Sequence, residues 1–214
     1  MSLGLSGGYR TAFVAPVVAV LLTACTAVGE EARRDSVALP EPERSGDVSV
    51  EAALAERRSI RDYRGDPLSL EEVAQLLWAA QGWTDPRGKR TAPSAGATYP
   101  LEVYLVAGRV DGLEPGVYRY EPEHHRLRKT GEGDRRGALA RAALGQDSVA
   151  EGTVVLVFAA VVERTEQRYG GRAERYVLME AGHAAQNVYL QAVASGLGTV
   201  AVGAFRDGAV KEVL

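Results

Sequence analysis

The chain has 214 residues, of which 46% are hydrophobic and 25% charged, and its formal net charge is −3. This is the composition of an ordinary globular protein with one domain and some additional chain. Basic residues alternate with acidic ones, so the sequence does not support a nucleic-acid partner. Cys25 is the only cysteine, which excludes an internal disulfide and a metal site built on cysteines.

The first 25 residues have the pattern of an export signal. Arg10 precedes an apolar run of roughly a dozen residues, which is short for a membrane span of about 20. The run ends in Leu22-Thr23-Ala24-Cys25, which resembles a bacterial lipobox and implies cleavage before Cys25 and attachment of lipid to it. Residues 1–25 are therefore predicted to be a lipoprotein-type signal peptide. An uncleaved anchor is the alternative, and both interpretations place the protein at a membrane, with the domain on the exported side.

Residues 26–49 are predicted to be a disordered tether. They are charged, contain Pro40 and Pro42, and show no apolar period. The folded domain is expected over residues 50–214, which is long enough to bury a substantial core.

The first half of this domain predicts two helices, a strand and a hairpin. Residues 50–58 favour a short helix, and Ser69-Leu70-Glu71-Glu72 has the capping-box spacing that opens a second helix ending near Gly82. Residues 101–107 predict a strand. Two runs of β-forming residues around a proline-containing turn predict a hairpin over residues 116–130.

The second half predicts a buried strand between helices. A helix is expected over residues 135–144, and residues 153–162 are apolar on both alternating faces, as in a central strand. The longest helix is expected over residues 172–194, with Gly196 at the left-handed position after its end. A strand over residues 199–205 follows, and the chain stops in a starting helix. This order predicts an α+β layer architecture.

An arginine-rich segment lies where the first helix ends. Residues 56–65, ERRSIRDYRG, place several arginines around Ser59. Guanidinium groups fork onto phosphate oxygens, and each charge-assisted hydrogen bond contributes about 1.5–3 kcal/mol, which favours a phosphate site. A solvated surface is the alternative, because cations near a helix C-terminus interact favourably with its dipole.

A run of small residues occupies positions 90–100, RTAPSAGATYP. Small side chains let a flat ligand lie against the backbone and meet its N–H groups, although a plain connecting loop has the same composition. No metal site is expected, because His124 and His125 are adjacent on a predicted hairpin and point to opposite sides.

Taken together, four segments resemble the FMN-dependent nitroreductase superfamily, closest to its SagB-type dehydrogenase branch. They occur in the family's order and extend over nearly all of residues 51–214. The four are RRSIRDY (57–63), APSAGATYPLEVYLV (92–106), GVYRYEPEHHRL (116–127) and RYVLMEAGHAAQNVYLQAVASGLGTVAVGAF (175–205).

This resemblance implies a cofactor, FMN, and the residues that bind it. The arginine segment would hold the FMN phosphate, the small-residue loop would lie against the flavin, and the backbone after the long helix would pass the redox edge of the ring. The residues implied are Arg57, Arg58, Ser59 and Arg61, then Pro93, Ser94, Ala95 and Gly96, then Val202, Gly203 and Ala204.

The resemblance also implies an enzyme that carries hydride between NAD(P)H and a small organic substrate in a ping-pong cycle. Tyr169 is the candidate proton donor and Arg168 a candidate anion clamp, with a surface loop as the alternative for both. Many nitroreductases have Asn where Ala97 stands. SagB-type azoline oxidases carry Lys-Tyr where this chain has Arg168-Tyr169, and arginine stays protonated, so it is a poor general base.

Two alternatives to this function remain open. One is azoline (thiazoline or oxazoline) dehydrogenation in peptide maturation, and the other is a catalytically silent, lipid-anchored scaffold. The fold implied is a nitroreductase-like mixed sheet flanked by helices and lacking its C-terminal segment after Leu214. Since that segment commonly embraces a second subunit, a homodimer is expected if the segment exists.

Overall fold

The computed structural model describes residues 10–11, 17–20 and 36–214. Its architecture is mixed α+β, as predicted, with one antiparallel sheet flanked by helices. The strands of the main sheet are β2 (Val17–Val20), β3 (Ser36–Ala38), β4 (Leu101–Ala107), β5 (Gly116–Glu121), β6 (Arg126–Glu132) and β7 (Val154–Ala160). Within the described residues their order across the sheet is β2-β7-β4-β5-β6-β3, and β2 alone is parallel to its neighbour, β7. A separate parallel pair joins β1 (Arg10–Thr11) to β8 (Leu197–Gly198).

Helices cover both faces of the sheet. One core cluster joins α2 and the long helix α6 to side chains such as Leu105 and Phe158. A second cluster joins α3, α4 and α7 to Val106, Val155 and Val157 on the opposite face. The helices are α1 (Val50–Glu56), α2 (Leu70–Gln81), α3 (Arg136–Ala142), α4 (Asp147–Glu151), α5 (Glu163–Tyr169), α6 (Ala173–Ala194) and α7 (Asp207–Lys211).

Strands β4 and β7 form the buried centre of the sheet. They pair along their whole lengths, from Leu101 opposite Ala160 to Ala107 opposite Val154. Every residue of β7 is buried, because helices cover both of its faces. The apolar run at residues 153–162 predicted this position.

The capping box of α2 is confirmed. The Ser69 side chain accepts from the backbone N–H of Glu72, and the Glu72 carboxylate accepts from the backbone N–H of Ser69. The predicted end of the long helix is also confirmed. Gly196 follows the helix with φ of 68°, a conformation that glycine adopts without a Cβ penalty.

Residues 36–49 differ from the predicted tether, because they pack against the domain. β3 pairs antiparallel with β6, and the buried Leu39 donates its N–H to the carbonyl oxygen of His125. The His125 ring in turn hydrogen-bonds through Nε2 to the Pro40 carbonyl oxygen at 2.8 Å. The backbone pairing of β3 and the burial of Leu39 therefore hold residues N-terminal to position 50 against the domain. Residues 26–35 lie outside the described residues.

Three further segments differ from the sequence-based expectations. The strand expected over residues 199–205 is absent, because these residues follow β8 without forming a strand. Arg168 and Tyr169, for which a surface loop is the alternative interpretation, lie at the end of helix α5. The short helix α4 was not predicted, because five residues are too few to show a helical period.

The predicted signal peptide falls mostly outside the described residues, and Cys25 is among those not described. The backbone of Val17–Val20, inside the predicted apolar segment, pairs with Val157–Ala160 at the sheet edge. None of the helices in the described part of the chain is long and apolar enough to span a membrane.

The capping box is expected to stabilise α2. Replacing Ser69→Ala removes the acceptor for the Glu72 N–H, so the free energy of unfolding should fall by about 1 kcal/mol in urea titrations. Glu71→Ala in the same first turn is the control, because its exposed side chain takes no part in the box, and it should change stability by less than about 0.5 kcal/mol. Equal effects of the two substitutions would contradict this account.

Candidate functional site

Tyr189 of α6 joins the arginine segment to the chain that follows α6. Its hydroxyl group hydrogen-bonds to Ser59 Oγ at 3.0 Å and accepts from the backbone N–H of Ala201 at 2.8 Å. The Arg57 guanidinium lies over the Tyr189 ring, 5.2 Å from its centroid. This cation–π contact and the two hydrogen bonds bring together the Arg57 guanidinium, the Ser59 hydroxyl group and the backbone at residue 201.

A backbone contact fixes the same arrangement. The N–H of Ile60 donates to the Thr199 carbonyl oxygen at 2.9 Å. A Cβ added at Gly198 would lie 2.9 Å from Cγ2 of Ile60, so glycine permits this close approach. Residues 57–60 are therefore held against residues 198–201 by main-chain as well as side-chain contacts.

Arg58 and Arg61 differ from Arg57 in their surroundings. The Arg58 guanidinium donates through Nη1 to the carbonyl oxygens of Ala55 and Arg57, at 3.0 and 2.7 Å. It therefore satisfies the C-terminal end of α1, which is the alternative role considered for these arginines. Arg61 is exposed, in the extended chain two residues beyond Ser59.

The loop at residues 93–99 is held in an unusual backbone conformation. Gly96, Ala97 and Tyr99 have positive φ angles of 61°, 54° and 43°. Ser94 stabilises the loop by accepting at Oγ from the backbone N–H of Tyr99 at 2.9 Å, and Thr98 shares a 2.8 Å hydrogen bond with Thr165 of α5. Left-handed alanine and tyrosine residues cost free energy, so the surrounding contacts must maintain the loop.

Arg168 and Tyr169 lie against this loop. Arg168 Nη1 donates to the Gly96 carbonyl oxygen at 3.2 Å. A Cβ added at Gly96 would lie 2.8 Å from both Arg168 Cδ and the Tyr169 hydroxyl oxygen. Both candidate substrate-side residues thus sit at the end of α5 in contact with the predicted flavin loop, and the Tyr169 ring packs edge-on against Tyr176 at 4.8 Å.

A cavity of about 320 Å³ lies between the loop and α6. Pro93, Ser94 and Ala95 form one wall, and Tyr176, Met179, Glu180 and His183 form the other. Volumes of this order are typical of small-molecule sites. The cavity joins the small-residue loop to a face of α6 that carries a carboxyl group and an imidazole.

Glu180 is the most unusual side chain of this cavity. Glu180 is 2% exposed, and its Oε1 atom has no hydrogen-bond partner in the part of the chain that the structure describes. Burial raises the pKa of Glu180 to about 7, while a hydrogen bond to Ser94 and the charge of Arg90 lower it. Near neutral pH this group can therefore exist as a neutral acid or as a carboxylate.

Residues 202–204, the third segment of the candidate site, differ in their exposure. Val202 is buried, whereas Gly203 and Ala204 are exposed. A Cβ added at Gly203 would meet no atom within 4 Å, and the Ala204 carbonyl oxygen accepts from Gln146 Nε2 at 2.9 Å. The contact of this segment with a flavin therefore stays a prediction, and the segment does not form the expected strand.

Helix α6 connects the two ends of the candidate site. Glu180 contacts the loop through Ser94, and Tyr189 holds the arginine segment and residue 201. Nine positions separate them, about 14 Å along the helix axis. The predicted phosphate-binding and ring-binding segments therefore lie at two levels of one helix.

Sequence reasoning missed both Glu180 and Tyr189. Glu180 was detectable, because it lies three residues after Val177 and four before Ala184 on the small apolar face of α6. A lone acidic residue on a buried face indicates a functional or paired group. Tyr189 carried no such signal, because it lies beside that face and its partners are distant in sequence. In the described part of the chain, no group of three or more His, Cys, Asp or Glu residues could hold a metal ion.

Comparison with known proteins identifies relatives of this chain. A sequence profile of the nitroreductase family matches residues 54–214. A protein of Methanocaldococcus jannaschii named "Putative nitroreductase" is 50% identical over 168 residues, which cover 78% of this chain and 85% of that protein. The microcin B17-processing protein McbC of Escherichia coli is 30% identical over 69% of this chain and 56% of McbC. The crystal structure of a "putative nitroreductase" from Ralstonia eutropha is 32% identical, with a TM-score of 0.67, over 89% of this chain and 82% of its own.

Gly96 is expected to be essential for the loop. Gly96→Ala introduces a Cβ at a positive φ and 2.8 Å from two side chains, so the free energy of unfolding should fall by about 1–3 kcal/mol. Gly182→Ala in α6 is the matched control, because its Cβ meets no atom within 4 Å, and helix propensity predicts stabilisation of up to about 1 kcal/mol. Urea titration measures both. A Gly96→Ala protein as stable as the wild type would contradict the loop geometry.

Glu180 is expected to make stability depend on pH. Its carboxyl group binds a proton more tightly in the folded state, with a pKa of about 7 against an ordinary value of 4.5. Its stabilising contribution is therefore fully present below about pH 4.5 and is lost as the pH rises through 7. Relative to Glu180→Gln, which does not titrate, the wild type should lose on the order of 3 kcal/mol across this range.

Urea titrations at half-unit pH intervals measure this effect. Glu174→Gln on the same helix is the control, because its exposed charge is solvated in both states. A constant stability difference between wild type and Glu180→Gln from pH 4.5 to 8 would contradict the burial of this carboxyl group.

Proposed function

The chain belongs to the nitroreductase family, and from this premise we propose that it is an FMN-dependent oxidoreductase. It carries hydride and electrons between a nicotinamide donor and a small organic substrate. The observation that carries this proposal is the meeting of Arg57, Ser59 and Ala201 around Tyr189. A phosphate-binding segment and an exposed backbone segment, far apart in sequence, lie side by side there.

The residues present fit FMN. Arg57, Ser59 and Arg61 supply two cations and a hydroxyl group for the phosphate, and Ser59 and Arg61 are exposed. Pro93, Ser94, Ala95 and Gly96 form a wall of small residues that would hold the flavin ring system. Val202, Gly203 and Ala204 would offer main-chain N–H groups to its redox edge. Arg58 is assigned to the end of α1 instead, because its guanidinium donates to two carbonyl oxygens there.

Bound FMN would supply the redox chemistry, which is the transfer of hydride and electrons between the nicotinamide donor and the small organic substrate. The protein supplies position and charge. Arg168 positions the loop through its hydrogen bond to Gly96 and adds positive charge for an anionic substrate group. Tyr169 offers a hydroxyl group as proton donor, and Glu180 and His183 line the adjoining cavity.

A homodimer and a membrane anchor are parts of the same proposal. Leu178 and Met179 are large apolar side chains of α6 that are 54% and 53% exposed, and Met179 also lines the cavity beside the loop. A second copy covering this face would bury them and enclose the site. Lipid attachment at Cys25 would tether such a dimer to the exported side of a bacterial membrane.

Peptide maturation is the second candidate function. The similarity to McbC, a microcin-processing protein, favours it. The position of Arg168 argues against azoline dehydrogenation, because a guanidinium that stays protonated and donates to Gly96 cannot act as a base. Oxidation of a thiazoline-containing peptide by the flavin-loaded protein would establish this second function and displace the first.

Reconstitution with FMN tests the proposal. We expect the protein to bind FMN, to show the flavin absorption bands, and to lose the visible band when NADH or NADPH is added without oxygen. Oxygen or a nitroaromatic or quinone acceptor should restore the band. Protein that stays colourless after incubation with FMN would contradict the proposal and support a catalytically silent scaffold.

Two neighbouring arginines provide a matched prediction for FMN affinity. Arg57→Gln removes the cation held over Tyr189, so the Kd for FMN, measured by quenching of flavin fluorescence, should rise at least about tenfold. Arg58→Gln makes the same change of charge on a side chain bound to the end of α1, and should raise the Kd less than about threefold. Equal losses in both variants would indicate a general effect of charge rather than a defined phosphate site.

A further inference from the structure

A second cavity, of about 420 Å³, lies at one end of the β4–β5 pair and has no lining residue in common with the cavity beside Ser94. Its lining includes the start of β4 at Leu101 and the end of β5 at Tyr120, together with Gln81 at the end of α2. The volume is within the range typical of small-molecule sites. The proposed redox function makes no use of this cavity.

Three side-chain nitrogen atoms of residues that line this cavity have no hydrogen-bond partner among the described residues. Gln81 is 0% exposed, and its Nε2 is unpartnered. The Nε atoms of Arg90 and Arg119 are also buried without partners. The orientation of the Gln81 amide is defined, because Arg90 Nη1 donates to its Oε1 at 3.0 Å. A buried donor without a partner costs about 1–3 kcal/mol, so the wall of this cavity has too few acceptor oxygens for its N–H groups.

Three of the arginines that line this cavity already have carboxylate partners. Arg119 pairs with Glu102 at 3.5 Å and with Glu121 at 3.3 Å. Arg126 pairs with Glu121 at 2.6 Å, and Arg164 with Glu102 at 2.5 Å. Glu102 and Glu121 therefore both form ion pairs with arginines that line the cavity.

Arg90 has no such partner. Within the described residues no carboxylate oxygen lies within 4 Å of its guanidinium, which stacks over Tyr99 at 4.6 Å. Burial lowers the pKa of Arg90, with the charges of Glu102 and Glu180 acting in the opposite direction, yet a guanidinium stays protonated at physiological pH. A half-buried cation that lacks an ion pair favours binding of an anion.

We propose that this cavity binds a small organic carboxylate, whose oxygens accept hydrogen bonds from the Arg90 guanidinium. The apolar surfaces of Trp83 and Leu101 contact its organic part. A monoanion fits better than a phosphate dianion, because Glu102 and Glu121 line the same cavity and repel a second negative charge. The site supplies a binding function separate from the proposed flavin site.

Benzoate is the probe that tests this inference. Isothermal titration of the full chain should show saturable binding of one benzoate per chain with a Kd of about 1 mM or below. Arg90→Gln should weaken this binding at least about tenfold, through loss of the unpaired cation. Arg87→Gln is the matched control, because Arg87 is exposed, is paired with Asp85 and lies outside the cavity. The affinity of this variant for benzoate should stay within about twofold of the wild-type value.

Gln81→Glu provides an independent arm that leaves Arg90 in place. It adds a carboxylate beside Arg90, which neutralises the cation and repels benzoate, so binding should again weaken at least about tenfold. It decides the test by itself if Arg90→Gln does not fold. Inorganic phosphate should bind more weakly than benzoate. Absence of saturable benzoate binding to the wild type, equal affinity in Gln81→Glu, or tighter binding of phosphate would overturn the proposal.

Discussion

The hydroxyl group of Tyr189 is the point at which three distant parts of the chain meet. It bonds to Ser59 Oγ and to the backbone N–H of Ala201, while the ring of the same residue supports the Arg57 guanidinium. The Ile60–Thr199 backbone hydrogen bond holds the two segments in register. Without these contacts, the arginines after α1 would form an ordinary solvated surface. With them, the Arg57 cation and the main chain at residue 201 form one side of the proposed FMN site.

The other end of the site depends on the same helix. Glu180 lies beneath Ser94, so the buried carboxyl group and the loop that carries three left-handed residues support one another. Arg168 and Tyr169 hold that loop from the opposite side, where only glycine fits at residue 96. The length of α6 between residues 180 and 189 therefore sets the spacing between the regions proposed to bind the flavin ring and its phosphate. Arg90 contributes to the field at Glu180 and also lines the second cavity, so charge links the two regions.

Local patterns predicted most of the fold. The strand at residues 101–107 and the capping box at Ser69 are confirmed, because a run of β-forming residues and a cap act within a few positions of the chain. The expectations that failed depend on distant contacts. Residues 199–204 have strand-forming side chains but do not form a strand, and residues 36–49 look disordered by composition but acquire β6 and His125 as partners. The site residues follow the same division. The arginine and small-residue segments are continuous in sequence, whereas Tyr189 acts through partners 12, 130 and 132 positions away.

The central claim is that these segments form one site for one ligand. Titration of ¹⁵N-labelled protein with FMN, followed by amide chemical shifts, tests it most directly. We expect the amide chemical shifts of Ser59, Gly96 and Gly203 to change together with FMN concentration and to saturate along a single binding curve. Shifts confined to one of the three segments, or curves that saturate at different FMN concentrations, would contradict it.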